Sequence, residues 1–275
     1  MRLRPPFGNL SPNPFEAHVL RDLEVDFLLT NDDGIDAYGL QALGQAIGAI
    51  GTMAMVAPDT VRSCCSHGVT TAEALQVVQI NSVSWKVSGT PADCIRVAIK
   101  HLRIRPKWVL SGVNEGGNLG VDIHYSGTVA GAREAALMGL KSMAISQYLR
   151  RDRPRHWELT ALRAIHAWSH LQSFELEPTE FWNINLPVVE STRVDLPLVQ
   201  CRPEPQMLTY DFACVDQESS DQEPSDQGRS DQGHSDPAQW LKYRSNYQER
   251  PRSESLDVAQ CFSGQITATR LSSKF

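Results

Sequence analysis

The sequence predicts an α/β protein, a three-layer α/β/α arrangement around a mostly parallel sheet, and three observations predict it. Short apolar runs alternate with segments whose apolar residues fall at helical spacing. Polar, glycine-rich stretches at 31–34, 111–120 and 126–128 follow those runs or open the helices. The alternation implies parallel pairing through right-handed crossovers, with both faces of the sheet covered and ligand sites at the carboxyl ends of the strands.

The run from Val25 to Thr30 (VDFLLT) reads as a buried strand delivering the polar turn Asn31-Asp32-Asp33-Gly34. Leu40, Leu43, Ile47 and Ile50 mark the inner face of the helix that follows, and Thr52 to Ala57 a second strand stopped by Pro58. Leu75 to Ser88 alternates through Val83, Trp85 and Val87, as a half-exposed antiparallel excursion would. Thr90 can cap the next helix, with Pro91 in its first turn and Ile95, Ala98, Ile99 and Leu102 inward. Lys107 to Ser111 is a strand ending in a Gly-Val-Asn-Glu-Gly-Gly loop, Thr128 to Gly139 a small-residue helix, and Ser142 to Ser146 a strand. Glu158 to Leu171 reads as a helix and Phe181 to Leu186 as a strand closing the globular part at Pro187.

A chain of 275 residues can bury one substantial core, so residues 23–275 are expected to form one main domain. Residues 1–22 form a Pro-rich N-terminal extension, expected to be flexible, without the apolar core of a secretory signal. From Asp216 to Asp236 the dipeptide Asp-Gln recurs at 216, 221, 226 and 231 among Ser, Gly, Glu and Pro, so an insert at about 215–237 is expected to be disordered. A net charge of −6 argues against a grip on long nucleic acid, which needs clustered Lys and Arg. No apolar run reaches the length of a membrane span, and a cytoplasmic protein is expected. The six cysteines show no CxxC spacing, which leaves zinc poorly supported and reduced thiols the plain reading.

Asp32 and Asp33 are adjacent carboxylates at the end of a buried strand, where like charges repel unless a cation or a proton joins them. An Asx turn with a helix N-cap would use the same residues, and the sequence leaves both readings open. Asn114 offers an amide oxygen within a glycine-rich stretch whose spacing is neither that of a dinucleotide loop nor that of a Walker loop. Ser126, Gly127 and Thr128 open a helix of Ala and Gly, offering hydroxyls and free amides at its positive end, which suits a phosphate and equally suits simple capping.

In order and spacing, VDFLLTNDDGIDAYGL, VAPDTVRS, VSGTPADCIRVAI, VLSGVNEGGNLGVDIHYSGTVAGAREAALMG and WNINLP closely resemble the SurE family of survival-protein nucleotidases, over roughly Val25 to Pro187. The resemblance implies a Rossmann-like domain with a smaller C-terminal extension used in homodimer or homotetramer contacts, and a site for one divalent ion, Mg2+ or Mn2+. By position the ligands would be Asp32, Asp33, Ser63 and Asn114, all oxygen donors suited to a hard cation. Asn31, Gly34, Asn118, Ser126, Gly127 and Thr128 would serve the phosphate, and Asp32 and Asp33 the chemistry. The implied reaction is hydrolysis of nucleoside 5'- and 3'-monophosphates, with short polyphosphate as a further substrate.

Two departures stand out. Tyr38 replaces a proline usual in the family, and Cys64-Cys65 follow Ser63 where small residues are usual. His67 either assists at the mouth of the site or is an ordinary polar loop histidine. The alternatives to an enzyme are a non-catalytic nucleotide-binding module and an interaction protein working through the Asp-Gln insert. A covalent mechanism with Asp32 as nucleophile ranks lower, since the pair lacks Asp-x-Asp spacing.

Overall fold

The computed structural model describes residues 22–215 and 239–274. The expectations for residues 1–21 and for most of the Asp-Gln insert therefore fall outside the described residues. Nine strands form one sheet in the order β3-β4-β2-β1-β5-β6-β7-β11-β8. Its strands are β1 (Leu23–Thr30), β2 (Met53–Pro58), β3 (Val77–Asn81), β4 (Ser84–Val87), β5 (Ile104–Glu115), β6 (Lys141–Gln147), β7 (Glu180–Leu186), β8 (Leu198–Gln200) and β11 (Ile266–Ser272). β4, β2, β1, β5, β6 and β7 run parallel, while β3 and β11 pair antiparallel to β4 and β7. β9 (Tyr210–Val215) and β10 (Trp240–Ser245) make a separate antiparallel pair.

Successive side chains of the central strands feed opposite faces. Leu29, Met55, Ala57 and Leu110 pack with Leu40, Leu43 and Ile47 of α1 (Tyr38–Gly48) and with Ala164 and Ala167 of α4 (Trp157–Leu171). Leu28, Ala54, Val56 and Val109 pack with Ile95 of α2 (Pro91–Arg96), Ala98 just beyond it, and Ala135 of α3 (Gly127–Leu137). Buried on both faces, these strands are continuously apolar, as parallel strands require.

α2 starts as its residues predict: Thr90 and Asp93 form a reciprocal capping box with Pro91 in the first turn. It then continues as a single π-turn, Val97–His101. α3 is built of small residues because it lies close against the sheet. A Cβ on Gly131 would stand 2.8 Å from Ser111 Oγ and 3.2 Å from Thr30 Cγ2.

Three expectations are corrected. β5 does not stop at Ser111 but runs through Gly112 and Val113 to Glu115, with a register shift against β6 between Ser111 and Asn114. Ile50 is 49% exposed, because α1 ends at Gly48 before the apolar spacing does. The globular part does not close at Pro187: β11 adds to β7, and β8 to β11, extending the sheet. A fifth helix, α5 (Asp257–Phe262), precedes β11.

From β1 the chain works outward to β2 and β4, then returns to the other side of β1 as β5. The strand order therefore reverses between β1 and β5, and the crevice at their carboxyl ends is where such sheets bind ligands.

Candidate active site

That crevice holds Asn31, Asp32 and Asp33 at the end of β1 and Asn114 at the end of β5. Asn31 is fully buried and spends its amide on its own turn, Nδ2 donating to Gly34 O at 2.9 Å. Ile35 N donates to Pro58 O at 2.8 Å and Arg62 N to Asp32 O at 2.7 Å, fixing the turn against the loop after β2. Glu115 N donates to Asp33 Oδ2 at 2.9 Å, so the end of β5 holds one carboxylate. Thr128 Oγ1, on the first turn of α3, hydrogen-bonds Asp32 Oδ1 and holds the other.

The approach of α3 depends on glycine. A Cβ on Gly127 would lie 2.9 Å from Asp32 Oδ2 and 2.7 Å from Cys65 Sγ. Ser126 caps the helix, its Oγ accepting from Val129 N at 3.0 Å, which leaves the hydroxyl proton for another acceptor. The first turn of an eleven-residue helix thus lies against Asp32, with the positive end of the helix dipole beside that carboxylate.

Burial governs the charge state of this pair. Asp32, 5% exposed, is pushed up to about 6 by burial and by the Asp33 charge, against the lowering effect of the Thr128 hydrogen bond. Asp33 is also raised, chiefly by burial, with the Glu115 carboxylate adding to the effect and the Glu115 amide opposing it. One buried and one half-buried carboxylate, with no cationic side chain on either among the described residues, are suited to a bound cation.

The donor set fits a hard ion. Asn114 Nδ2 donates to Gly116 O at 2.8 Å, which leaves Asn114 Oδ1 as a free acceptor beside the aspartates. Ser63 is exposed on the loop that Arg62 anchors to Asp32. The Cys65 thiol is not a competing nucleophile, since burial followed by the Asp32 charge pushes it up to about 11.

Asn118 is the most tightly held residue of the glycine-rich segment. Its Nδ2 donates to Ser146 Oγ at 2.7 Å and its backbone N–H to Asn185 Oδ1 at 2.8 Å. Its carbonyl accepts from Asn183 Nδ2 at 2.9 Å and Asn185 Nδ2 at 3.1 Å. Sequence reasoning did not single out Asn183 and Asn185, although two Asn at i and i+2 in an apolar strand must share one face and signal a buried polar network. His67 is not free at the mouth: its Nε2 lies 2.8 Å from Glu134 Oε2, and Arg96 Nε donates to Glu134 Oε1 at 2.6 Å. Glu134 is lowered because these bonds outweigh its burial. The trio ties the 64–67 loop to α3.

The C-terminal segment holds the same glycine-rich stretch from the far side. Asp257 accepts from Gly120 N at 2.7 Å and Glu204 N at 2.8 Å. Arg250, fully buried, pairs with Asp122 at 2.5 Å and donates to Leu119 O at 3.1 Å. No local pattern announces these contacts, since each joins residues more than fifty positions apart.

A doubly wound sheet with paired carboxylates and a helix N-terminus at its switch point places the chain among the three-layer α/β proteins that carry their ligand sites at that point. The family model for survival protein SurE matches residues 27–204, and the chain belongs to the SurE family. A relative from Synechocystis sp. is 38% identical over 247 residues, 90% of this chain and 99% of its own. The 5'-nucleotidase SurE of Pelobacter propionicus is 39% identical over 173 residues, 62% of this chain and 70% of its own. The crystal structure of the SurE protein from Aquifex aeolicus superposes with a TM-score of 0.72 at 28% identity, covering 90% of this chain and 92% of that one.

Proposed function

We propose that this protein is a divalent-metal-dependent phosphomonoesterase that hydrolyses nucleoside 5'- and 3'-monophosphates, with short polyphosphate as a further substrate. The observation that carries the reading is Asp32, buried against the N-terminus of α3, with half-buried Asp33 beside it at the switch point of the sheet. Family relatives named 5'-nucleotidase SurE support it.

Asp32, Asp33, Ser63 and Asn114 would hold one Mg2+ or Mn2+, which when bound neutralises phosphoryl oxygens and acidifies water. The chain's residues supply the rest. The amides of Gly127 and Thr128 and the free hydroxyl proton of Ser126 point donors at phosphate oxygens, whose negative charge the helix dipole favours. Asn31 and Gly34 shape the turn that aims both aspartates, and Asn118, fixed by Ser146, Asn183 and Asn185, forms the opposite wall. Asp32 takes the proton of the attacking water on a carboxylate oxygen, while the Thr128 bond to Oδ1 holds the group in orientation. A protein that merely binds an anionic ligand gains nothing from paired carboxylates beside it, which separates this reading from a non-catalytic binding module.

The C-terminal extension would support a homodimer or homotetramer. The β9–β10 pair exposes Tyr210, Phe212 and Tyr243, with Tyr210 stacked on Tyr243 and Phe212 edge-on to both. No helix among the described residues is long and apolar enough to cross a membrane. The discriminating experiment is Asp32→Asn under saturating Mn2+. Turnover of a nucleoside 5'-monophosphate falls at least about a hundredfold while its binding persists. Near-normal turnover with full metal occupancy removes Asp32 from the chemistry.

A further inference from the structure

A cavity of about 640 Å3 opens on the α1 and α4 side of the sheet, beyond the carboxyl ends of β6 and β7. It borders the aspartate site without including it. Arg155 on its wall pairs with Glu115 at 2.7 Å, and Glu115 N in turn holds Asp33.

Its wall carries four arginines, Arg150, Arg153, Arg155 and Arg163, against two glutamates, Glu158 and Glu190. Three of the arginines have partners. Arg150 bonds Asp152 at 2.9 Å, Arg153 bonds Glu190 at 2.6 Å, and Arg155 bonds Glu115. Arg163 is different. It is 5% exposed, and its Nε and Nη2 donate only to the carbonyls of Arg193 and Ser191, at 3.0 and 2.5 Å. Among the described residues no carboxylate pairs with it, and burial alone lowers its pKa. A buried guanidinium without a counter-charge is costly, and a bound anion would relieve that cost.

The donors beside it are also unspent. The fifteen-residue helix α4 begins at Trp157 on this wall, and its N-cap His156 makes no side-chain capping bond. The amides of Trp157, Glu158 and Leu159 have no acceptor within the helix. The remaining wall is largely apolar, with half-buried Leu149, Trp157, Leu159, Val188 and Val189.

We infer that this cavity is a second, non-catalytic site for a tetrahedral oxyanion, held by Arg163 and the first amides of α4, with apolar room for a small organic body attached to it. Free phosphate and the phosphoryl group of a small ester share that chemistry. The site is separate from the aspartate pair and does not need the metal.

The test is calorimetric titration of the whole protein in EDTA with inorganic phosphate and with phenylphosphonate, a non-hydrolysable phosphoryl group on an aromatic ring. Saturable binding of either that is weakened by Leu159→Glu supports the site, because an anion held at the N-terminus of α3 would survive that change. Tighter binding of phenylphosphonate identifies an ester as the occupant, and equal binding identifies the free ion. Leu159→Glu puts a carboxylate among the free amides, where an acidic residue favours a helix, so the variant folds while the anion loses at least about tenfold in affinity. Arg163→Gln loses binding as well, and Arg163→Lys recovers part of it. Absence of metal-free binding to the wild type, or binding unchanged by Leu159→Glu, overturns the inference. Neither outcome bears on the nucleotidase reading, which is assayed with metal at the other site.

Discussion

The proposed chemistry rests on one titratable group, Asp32. Burial first, then the Asp33 charge, raise it from an ordinary 3.8 to about 6, so the metal-free folded state holds a proton that the unfolded chain releases. Its contribution to stability is therefore present below about pH 4 and is lost as pH rises through 6. A cation competes for the same oxygens as that proton. Thermal unfolding with Mg2+ or EDTA should accordingly show a metal-induced rise in Tm that grows from pH 5 to pH 7, and Asp32→Asn should flatten the growth. A rise independent of pH would remove Asp32 as a ligand. At this scale the sequence was informative: adjacent carboxylates after a buried strand are legible without coordinates, because their repulsion demands a partner. What it hid was the bond to Thr128 and the burial behind the shift, since both depend on a helix nearly a hundred residues away. His67 was illegible for a similar reason, its Glu134 partner lying sixty-seven positions on.

Among the elements, α3 is the one whose position the site depends on. Its glycines at 127 and 131 let its first two turns lie against Asp32 and Ser111. Gly127→Ala would set a methyl group 2.9 Å from Asp32 Cβ. It should cost about 1–3 kcal/mol by overpacking and weaken phosphate affinity by displacing the helix from the carboxylates. Urea unfolding and product inhibition by phosphate measure the two effects, and wild-type values for both would show that the approach is not tight. Local chemistry made several elements readable. Thr90, Pro91 and Asp93 start α2 as capping rules require, and the small residues of α3 mark close packing. The end of β5 was not readable, because Gly112 and Gly116 signal a loop locally while pairing with β6 carries the strand to Glu115. Ile50 misled in the opposite direction, its spacing continuing a helix that had already ended.

Over the whole molecule, the site is closed by a segment that its own sequence does not advertise. Asp257 and Arg250 clamp the 119–122 stretch, and Asn183 and Asn185 on β7 clamp Asn118 from within the sheet. The 118–122 end of the glycine-rich segment is thereby fixed before any ligand arrives, which is the preorganisation that electrostatic catalysis needs. Asp257→Ala leaves the amides of Gly120 and Glu204 without their acceptor, at about 1–3 kcal/mol each. Hydrogen exchange should then accelerate at Gly120 and its neighbours more than in β1 or β5, and turnover should fall with it. Uniform exchange across the chain would mean that the C-terminal segment does not support the site. The parallel sheet was legible from alternating apolar runs because periodicity is a local property. The added strands β8 and β11 and the clamp residues were not, because a three-residue edge strand such as β8 and pairings across more than fifty positions leave little periodic trace.

The central claim is that the switch-point aspartates serve a metal-dependent phosphomonoesterase. It is tested most directly by phosphate release from nucleoside 5'- and 3'-monophosphates with Mg2+, Mn2+ or EDTA, for the wild type and for Asp32→Ala/Asp33→Ala. The account predicts release that requires metal and is abolished in the double variant. Absence of release with either metal from a folded wild type, or full activity in the double variant, would contradict it.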